Sequence, residues 1–393
     1  RARPARRKPA SRLLEHLMHG DAIRLSFFYA AFFVFAGIHM PFWPVWLAAK
    51  GIDAAGIALI LAAGIGVKVI VNPLIAHFAD RSGGRRSIML ALAAGATVCF
   101  AAFFFVEGFV PILVVSLVFF ALWTPVMPLG ESLTMLAARA RGFDYGRVRL
   151  WGSLTFVAAA AGAGVMLAGQ PGDSVLYLLL PAVVLMLLAV ACVPDIRAPA
   201  AAGRFAALEL IGNRPFLTML FACTLAQASH AAYYAFATLH WQAAGHSETV
   251  IGMLWAEGVV AEIVLFAAGP AVLRRCSPAA LIALAGAAGI ARWAATAAST
   301  ALPVLVFAQA LHAFTFGAAH LGAIHFIARR VSPAVSASAQ SFYSATVMGL
   351  GIGIAVFAVG PLYAASPAGA FSAMIVLSAA ALVPALALMR SRD

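Results

Sequence analysis

Six ionisable side chains stand inside long apolar runs: Lys68, Glu131, Glu257, Glu262, Arg292 and His312. A charge at the centre of a bilayer costs about 3 kcal/mol, so such groups face a bundle interior or a watery path. There they serve binding, ion movement or helix pairing. A cation such as Lys68, or Arg149 at the start of the fifth run, can hold an organic anion. A carboxylate or imidazole screened from water can take up and release a proton. Gln227, His230 and Tyr233, near the middle of the seventh run, suit packing and substrate contact equally. His39, His240, His320 and His325 are expected to bond neighbouring helices. Cys99, Cys192, Cys223 and Cys276 show no CxxC or other metal spacing, so no metal, other cofactor or disulfide framework is expected.

The elements that must position these groups are membrane-crossing helices. Hydrophobic residues make up 64% of 393 positions and charged residues 10%, with a mean hydropathy of +0.97. A soluble domain of this size needs more polar surface. Its helices would also show amphipathic stripes, whereas these runs are apolar on every side. Each reaches roughly 18 residues or more, enough to cross a hydrocarbon core of about 30 Å.

Breaks at charged, Pro and Gly clusters place helices near 25–47, 55–78, 87–106, 110–138, 149–169 and 175–193. A second six lie near 216–243, 249–272, 278–298, 302–328, 334–361 and 366–389. The chain thus reads as an all-α membrane protein with a basic tail (1–24), two six-helix bundles (25–193 and 216–393) and a polar linker (194–215). The first run follows a basic stretch and reads as an uncleaved span.

The basic residues fix the sidedness. Of 26 Lys and Arg, all but Lys50, Lys68 and Arg292 lie in the tail, in alternate loops, in the linker or at the C-terminus. Such alternation is the positive-inside pattern. It puts both termini and the linker in the cytoplasm and requires an even number of spans. The same distribution argues against nucleic acid as the partner of the +12 net charge. Trp43, Trp46 and Trp241, at outer helix ends, read as interfacial anchors.

Depth along the helices, at about 1.5 Å per residue, groups the intramembrane charges. Glu257, Arg292 and His312 share a layer near the membrane middle. Glu131 and Arg149 share a layer nearer the cytoplasm. Pairing satisfies each charge at lower cost than either alone. Lys68 has no acid on its own helix, since residues 54–77 lack Asp and Glu. Its counter-charge must come from another helix, water or substrate. Pro125 and Pro128 before Glu131, and Gly349, Gly351 and Gly353, are helix breaks of the kind found beside transport sites.

The loop ADRSGGRR, 79–86, resembles the cytoplasmic signature loop of the major facilitator superfamily, with Asp80, Arg81, Gly83, Arg85 and Arg86 in its acidic, basic and turn positions. Ala76 stands where Gly is usual. YGRVRLWGSLTF, 145–156, with Glu131 before it, is similar to the fourth and fifth helices of lactose permease. Arg292 followed by LHAF, 311–314, is similar to that permease's ninth and tenth. The tenth-helix carboxylate expected three residues after His312 is Thr315 here. FFYAAFFVFAGIHMPFWPVWL, 27–47, and IGMLWAEGVVAEIVLF, 251–266, look most like the phenylpropionate permease branch.

The resemblance implies alternating access to a midplane site, with Lys68, Glu131 and Arg149 contacting a small-molecule substrate; Gln227, His230 and Tyr233 are further candidate contacts by their placement alone. It implies that Glu257, Glu262, Arg292 and His312 handle a coupling proton, or Na⁺ in its place. The expected substrate class is a small organic acid such as phenylpropionate, carried by a monomer in a bacterial inner membrane. An importer of a sugar, nucleoside or siderophore, or an exporter of hydrophobic compounds, would share the fold. No phosphate loop or nucleotide fold is present for ATP hydrolysis. An enzyme or receptor would need reactive groups at one interface or an appended soluble domain, and neither is evident.

Overall fold

In the computed structural model the described residues are 9–196, 210–332 and 335–390, with side chains described from residue 20 onward except 336 and 337. The first eight residues of the basic tail and positions 197–209 of the linker lie outside them. Among the described residues every regular element is helical and none is a strand.

Twelve spans follow one another. The first half holds α1 (Pro9–Ala49), α2 (Ala54–Ser82), α3 (Arg85–Phe104), α4 (Phe109–Arg141), α5 (Tyr145–Leu167) and α6 (Ser174–Cys192). The second holds α7 (Arg214–Ala228 and Ala231–Ala243), α8 (Glu248–Ala267), α9 (Pro278–Ala298), α10 (Leu302–Arg330), α11 (Ser338–Ala365) and α12 (Pro367–Arg390). All but α7 are individually long and apolar enough to cross a membrane. α7 is broken by a turn at Ser229–His230, so neither piece spans alone.

Capping residues set several starts. Asp53, Asp144 and Asn213 accept from the backbone N–H groups of Gly56, Arg147 and Phe216 at 2.8, 2.9 and 3.0 Å. Each satisfies a first-turn donor that the helix itself leaves free. α1 starts well before the expected residue 25. Pro9 suits a first helical turn, and the charges that end the apolar run do not end the helix. α4 is interrupted at Thr124–Pro125, where the missing proline N–H breaks the ladder. α10 and α11 each contain a π-helical turn, Ala313–Ala318 and Thr346–Gly351. Wide turns of this kind often mark functional positions.

Within the first half α1 packs on α5 and α6; within the second, α9 packs on α12 and α10. The halves meet through α5 against α8 and α2 against α11. Glycines permit close approach at the face opposite the chain ends. A Cβ on Gly164 or Gly252 would collide with the backbone of the facing helix, and one on Gly360 with Ala58 and the carbonyl of Ala54. Thr249 Oγ1 donates to the Gly164 carbonyl, and Glu248 Oε2 accepts from Gly169 N–H, each at 3.4 Å.

Gly252→Val is therefore expected to hold the halves apart at this face. Cysteines placed on α5 and α8 near the contact should react with an impermeant maleimide faster in the Gly252→Val background. Unchanged labelling would show that this contact does not close the face.

Candidate functional site

A cavity of about 480 Å³ lies between the halves. α2 contributes Leu61, Gly64 and Lys68, one face at helical spacing, and α5 contributes Arg149. α8 contributes Trp255 and Glu262, and α10 contributes His312 and Phe316. The lining is mostly apolar and aromatic, with few charges.

Lys68 Nζ donates to the carbonyl of Met348, in the π turn of α11, at 3.5 Å. Among the described residues no carboxylate comes within 4 Å of it. A cation with one long bond to a backbone carbonyl keeps most of its donor capacity free. Arg149 stacks over Phe33 and Tyr29, 4.3 and 5.4 Å from their ring centres, and its Nε lies 3.9 Å from Glu131 Oε1. These two side chains are 31% and 42% exposed, so the pair is open to water and the attraction is weak. Glu131→Gln and Arg149→Gln are accordingly both expected to insert and express at the wild-type level, with their cost confined to transport. Size-exclusion profiles in detergent check this, and aggregation of either variant would mark the pair as structural.

The second half holds a buried polar cluster around Arg292. The guanidinium is fully buried and makes three bonds to neutral acceptors: His312 Nδ1 at 2.8 Å, Thr315 Oγ1 at 2.9 Å and Gln309 Oε1 at 2.9 Å. Tyr233 and Trp293 flank it, with ring centres 4.7 and 4.5 Å away. Gln309 Nε2 donates to Tyr233 Oη at 3.0 Å and to the Leu254 carbonyl at 2.7 Å. A guanidinium can only donate, so His312 Nδ1 must be the accepting nitrogen. The proton of a neutral His312 then sits on Nε2, which faces Glu262 Oε2 at 3.9 Å. A line of polar contacts thus runs from the cavity carboxylate through His312 to the buried cation.

The remaining expected residues are placed as follows. His230 is buried, with Nε2 3.1 Å from Thr315 Oγ1 and Nδ1 3.2 Å from the Gln227 carbonyl. Gln227 is buried behind it, with Nε2 3.4 Å from the Phe316 carbonyl, so both support the cluster from outside the lining. Tyr233 lines the cavity. Glu257 does not: it is half-buried, on the face of α8 that carries the exposed Met253, Val260 and Val264. Gln309 and Tyr234 were not singled out from sequence. The signal for Gln309 was present, an amide one turn before His312 in an otherwise apolar run.

The signature loop lies at the face bearing the chain ends and clasps four helices. Arg85 pairs with Asp80 and donates to Ser132 Oγ on α4 at 3.1 Å. Arg86 reaches the carbonyl of Ala191 at the end of α6 at 2.7 Å. Gly83, at φ +69°, ends α2 in the left-handed conformation that glycine adopts without strain, and Arg81 points outward.

Comparison with known proteins agrees with this architecture. The MFS_1 like family matches residues 22–373. A probable 3-phenylpropionic acid transporter of Escherichia coli (strain K12) is 36% identical over 363 residues, 90% of this chain and 94% of the relative. The maltose permease of Geobacillus stearothermophilus is 26% identical over 330 residues, 83% of each chain. Among solved structures, nucleoside transporter NupG superposes with a TM-score of 0.81 at 15% identity, covering 94% of this chain and 98% of that one. A bacterial homologue of the lysosomal transporter Spinster, in an inward-facing and unoccupied conformation, gives 0.73 at 13% identity, covering 98% and 96%. Twelve spans in two halves, a clasped signature loop and a charged cavity between the halves accompany these matches, and the chain belongs to the MFS_1-like family of major facilitator membrane transporters.

Proposed function

We propose that the protein imports a small aromatic carboxylate together with a proton, by alternating access, across a bacterial inner membrane with both termini in the cytoplasm. The observation that carries this reading is one cavity with an unpaired cation, Lys68, on one wall and the Glu262–His312 contact on the other. Lys68 and Arg149 hold the carboxylate group, and Phe33, Phe156, Trp255 and Phe316 surround the apolar body. Glu262 carries the proton, with His312 and Arg292 as its polar support.

Coupling follows from charge. Two anions in one poorly hydrated cavity repel strongly, so substrate carboxylate and ionised Glu262 are not held together. Anion and proton enter as a pair, and the halves rock with the cavity's charge balanced. The name of the relative from Escherichia coli (strain K12) points to the same substrate class. A sugar would call for more amide and hydroxyl groups than these walls present.

Ligand-induced stabilisation of the purified protein tests the substrate class. Phenylpropionate should raise Tm progressively with the logarithm of its concentration, whereas phenylpropanol and phenylpropionamide should raise it far less. Equal shifts from all three would remove the carboxylate from the account.

A further inference from the structure

His39 on α1 lines the cavity, yet neither of its ring nitrogens bonds to any described residue. The ring is held rigidly. It stacks between Phe35 and Trp43, with centroids 5.0 and 5.2 Å away, and Phe120 meets it edge-on at 5.7 Å. Nε2 is sealed against the aromatic packing without a partner, and Nδ1 bonds to no described residue. Imidazole always carries at least one donor or lone pair that needs satisfying. A lone histidine among membrane helices ordinarily bonds a neighbouring helix, and this one does not. On the same wall the Thr124 hydroxyl is already committed to the Phe120 carbonyl and Asn72 Oδ1, at 2.8 and 3.0 Å.

Depth places His39 relative to the cations. It lies ten residues before the end of α1 at Ala49, and Gly64 lies ten after the start of antiparallel α2 at Ala54, so the two are level. Lys68 is one turn further from that end, about 6 Å, and Arg149 roughly 12 Å, at 1.5 Å per residue. Gly64 lets the Phe120 ring close directly against α2, where a Cβ would lie 2.6 Å from it. The order along the cavity is cation, apolar wall of Leu61 and Phe120, imidazole without a partner.

We infer that His39 is a specificity subsite for a hydrogen-bonding substituent, such as a hydroxyl, on the aromatic ring of the carboxylate substrate, at the end remote from the carboxylate. This rests on the aromatic-carboxylate reading and sharpens it: the preferred ligands are phenolic arylpropionates. The ring lies in the cavity against Leu61 and Phe120, with its carboxylate at Lys68 and its hydroxyl at the imidazole. A ligand with a methyl group there leaves the imidazole unsatisfied, and an unpaired polar group beside an apolar one is the costly outcome.

The test measures Kd by titration calorimetry for phenylpropionate and for its meta- and para-hydroxy and meta- and para-methyl derivatives. In the wild-type protein at least one hydroxy compound should bind about tenfold tighter than its methyl counterpart, the share of one hydrogen bond. His39→Phe keeps the stack with Phe35 and Trp43 and should erase that ratio, while His39→Gln, which retains a polar group, should recover part of it. An equal ratio in wild type and His39→Phe overturns the inference. If His39→Phe does not fold, the wild-type ratio decides, and a value of one or less overturns it. Binding of all five compounds without a hydroxyl preference removes this inference alone. Failure of all five to bind removes the substrate reading and the inference with it.

Discussion

Glu262→Gln is expected to reduce accumulation of substrate against a gradient to nothing, while binding and one-for-one exchange persist. Glu262 is the carboxylate that lines the cavity and faces His312, at 3.9 Å. Thr315, which stands where an acid would accompany the histidine, accepts from Arg292 and cannot carry the proton. Glutamine keeps the volume of glutamate and an oxygen for the His312 Nε2–H, so packing survives and proton carriage does not. Glu257 supplies the comparison. It is half-buried and outside the cavity lining, and Glu257→Gln should accumulate substrate normally. Uptake by right-side-out vesicles, with counterflow as the exchange readout, separates the two variants. Concentrative uptake by Glu262→Gln, or its loss in Glu257→Gln alone, would move the proton site off Glu262.

Lys68→Met is expected to weaken carboxylate binding about a hundredfold, the upper range for a hydrogen bond to a charged group. Neutral analogues should be little affected. The methionine stem fills the same volume, and no acid within 4 Å is orphaned by the change. Deleting one member of a buried ion pair usually destabilises a protein; here the cation's partner is a backbone carbonyl, so the variant should fold at least as well as wild type. Affinity for phenylpropionate against its amide, measured on the purified variant, gives the answer. Equal losses for both ligands would mean that Lys68 shapes the cavity rather than binds the anion.

Much of this architecture was legible in the chain, because apolar run length and the placement of Lys and Arg depend on single residues and not on packing. The absence of acids from 54–77 left Lys68 without a neighbouring partner on its own helix, although the Met348 carbonyl that meets it belongs to a π turn no local pattern announces. Depth arithmetic brought Arg292 and His312 together and they are bonded. It put Glu257 at the same level and said nothing of direction. Successive helical residues turn by about 100°, and Glu257 shares a face with Met253, Val260 and Val264 rather than with Trp255 and Glu262 of the lining. The break in α7 falls at Ser229–His230, where neither Pro nor Gly stands, so its cause lies in tertiary bonds such as Trp293 Nε1 to Ser229 Oγ at 3.0 Å. His39 was expected to bond a neighbour, and its lack of one depends on the three aromatic rings that surround it.

The most direct measurement of the central claim is uptake of labelled phenylpropionate into proteoliposomes containing the purified protein, with an imposed pH gradient. An acidic outside should drive accumulation several-fold above the external concentration, and collapse of the gradient by a protonophore should release it. A Na⁺ gradient at equal pH should drive none. Accumulation that follows Na⁺, or that ignores the pH gradient while exchange proceeds, would contradict proton coupling at Glu262.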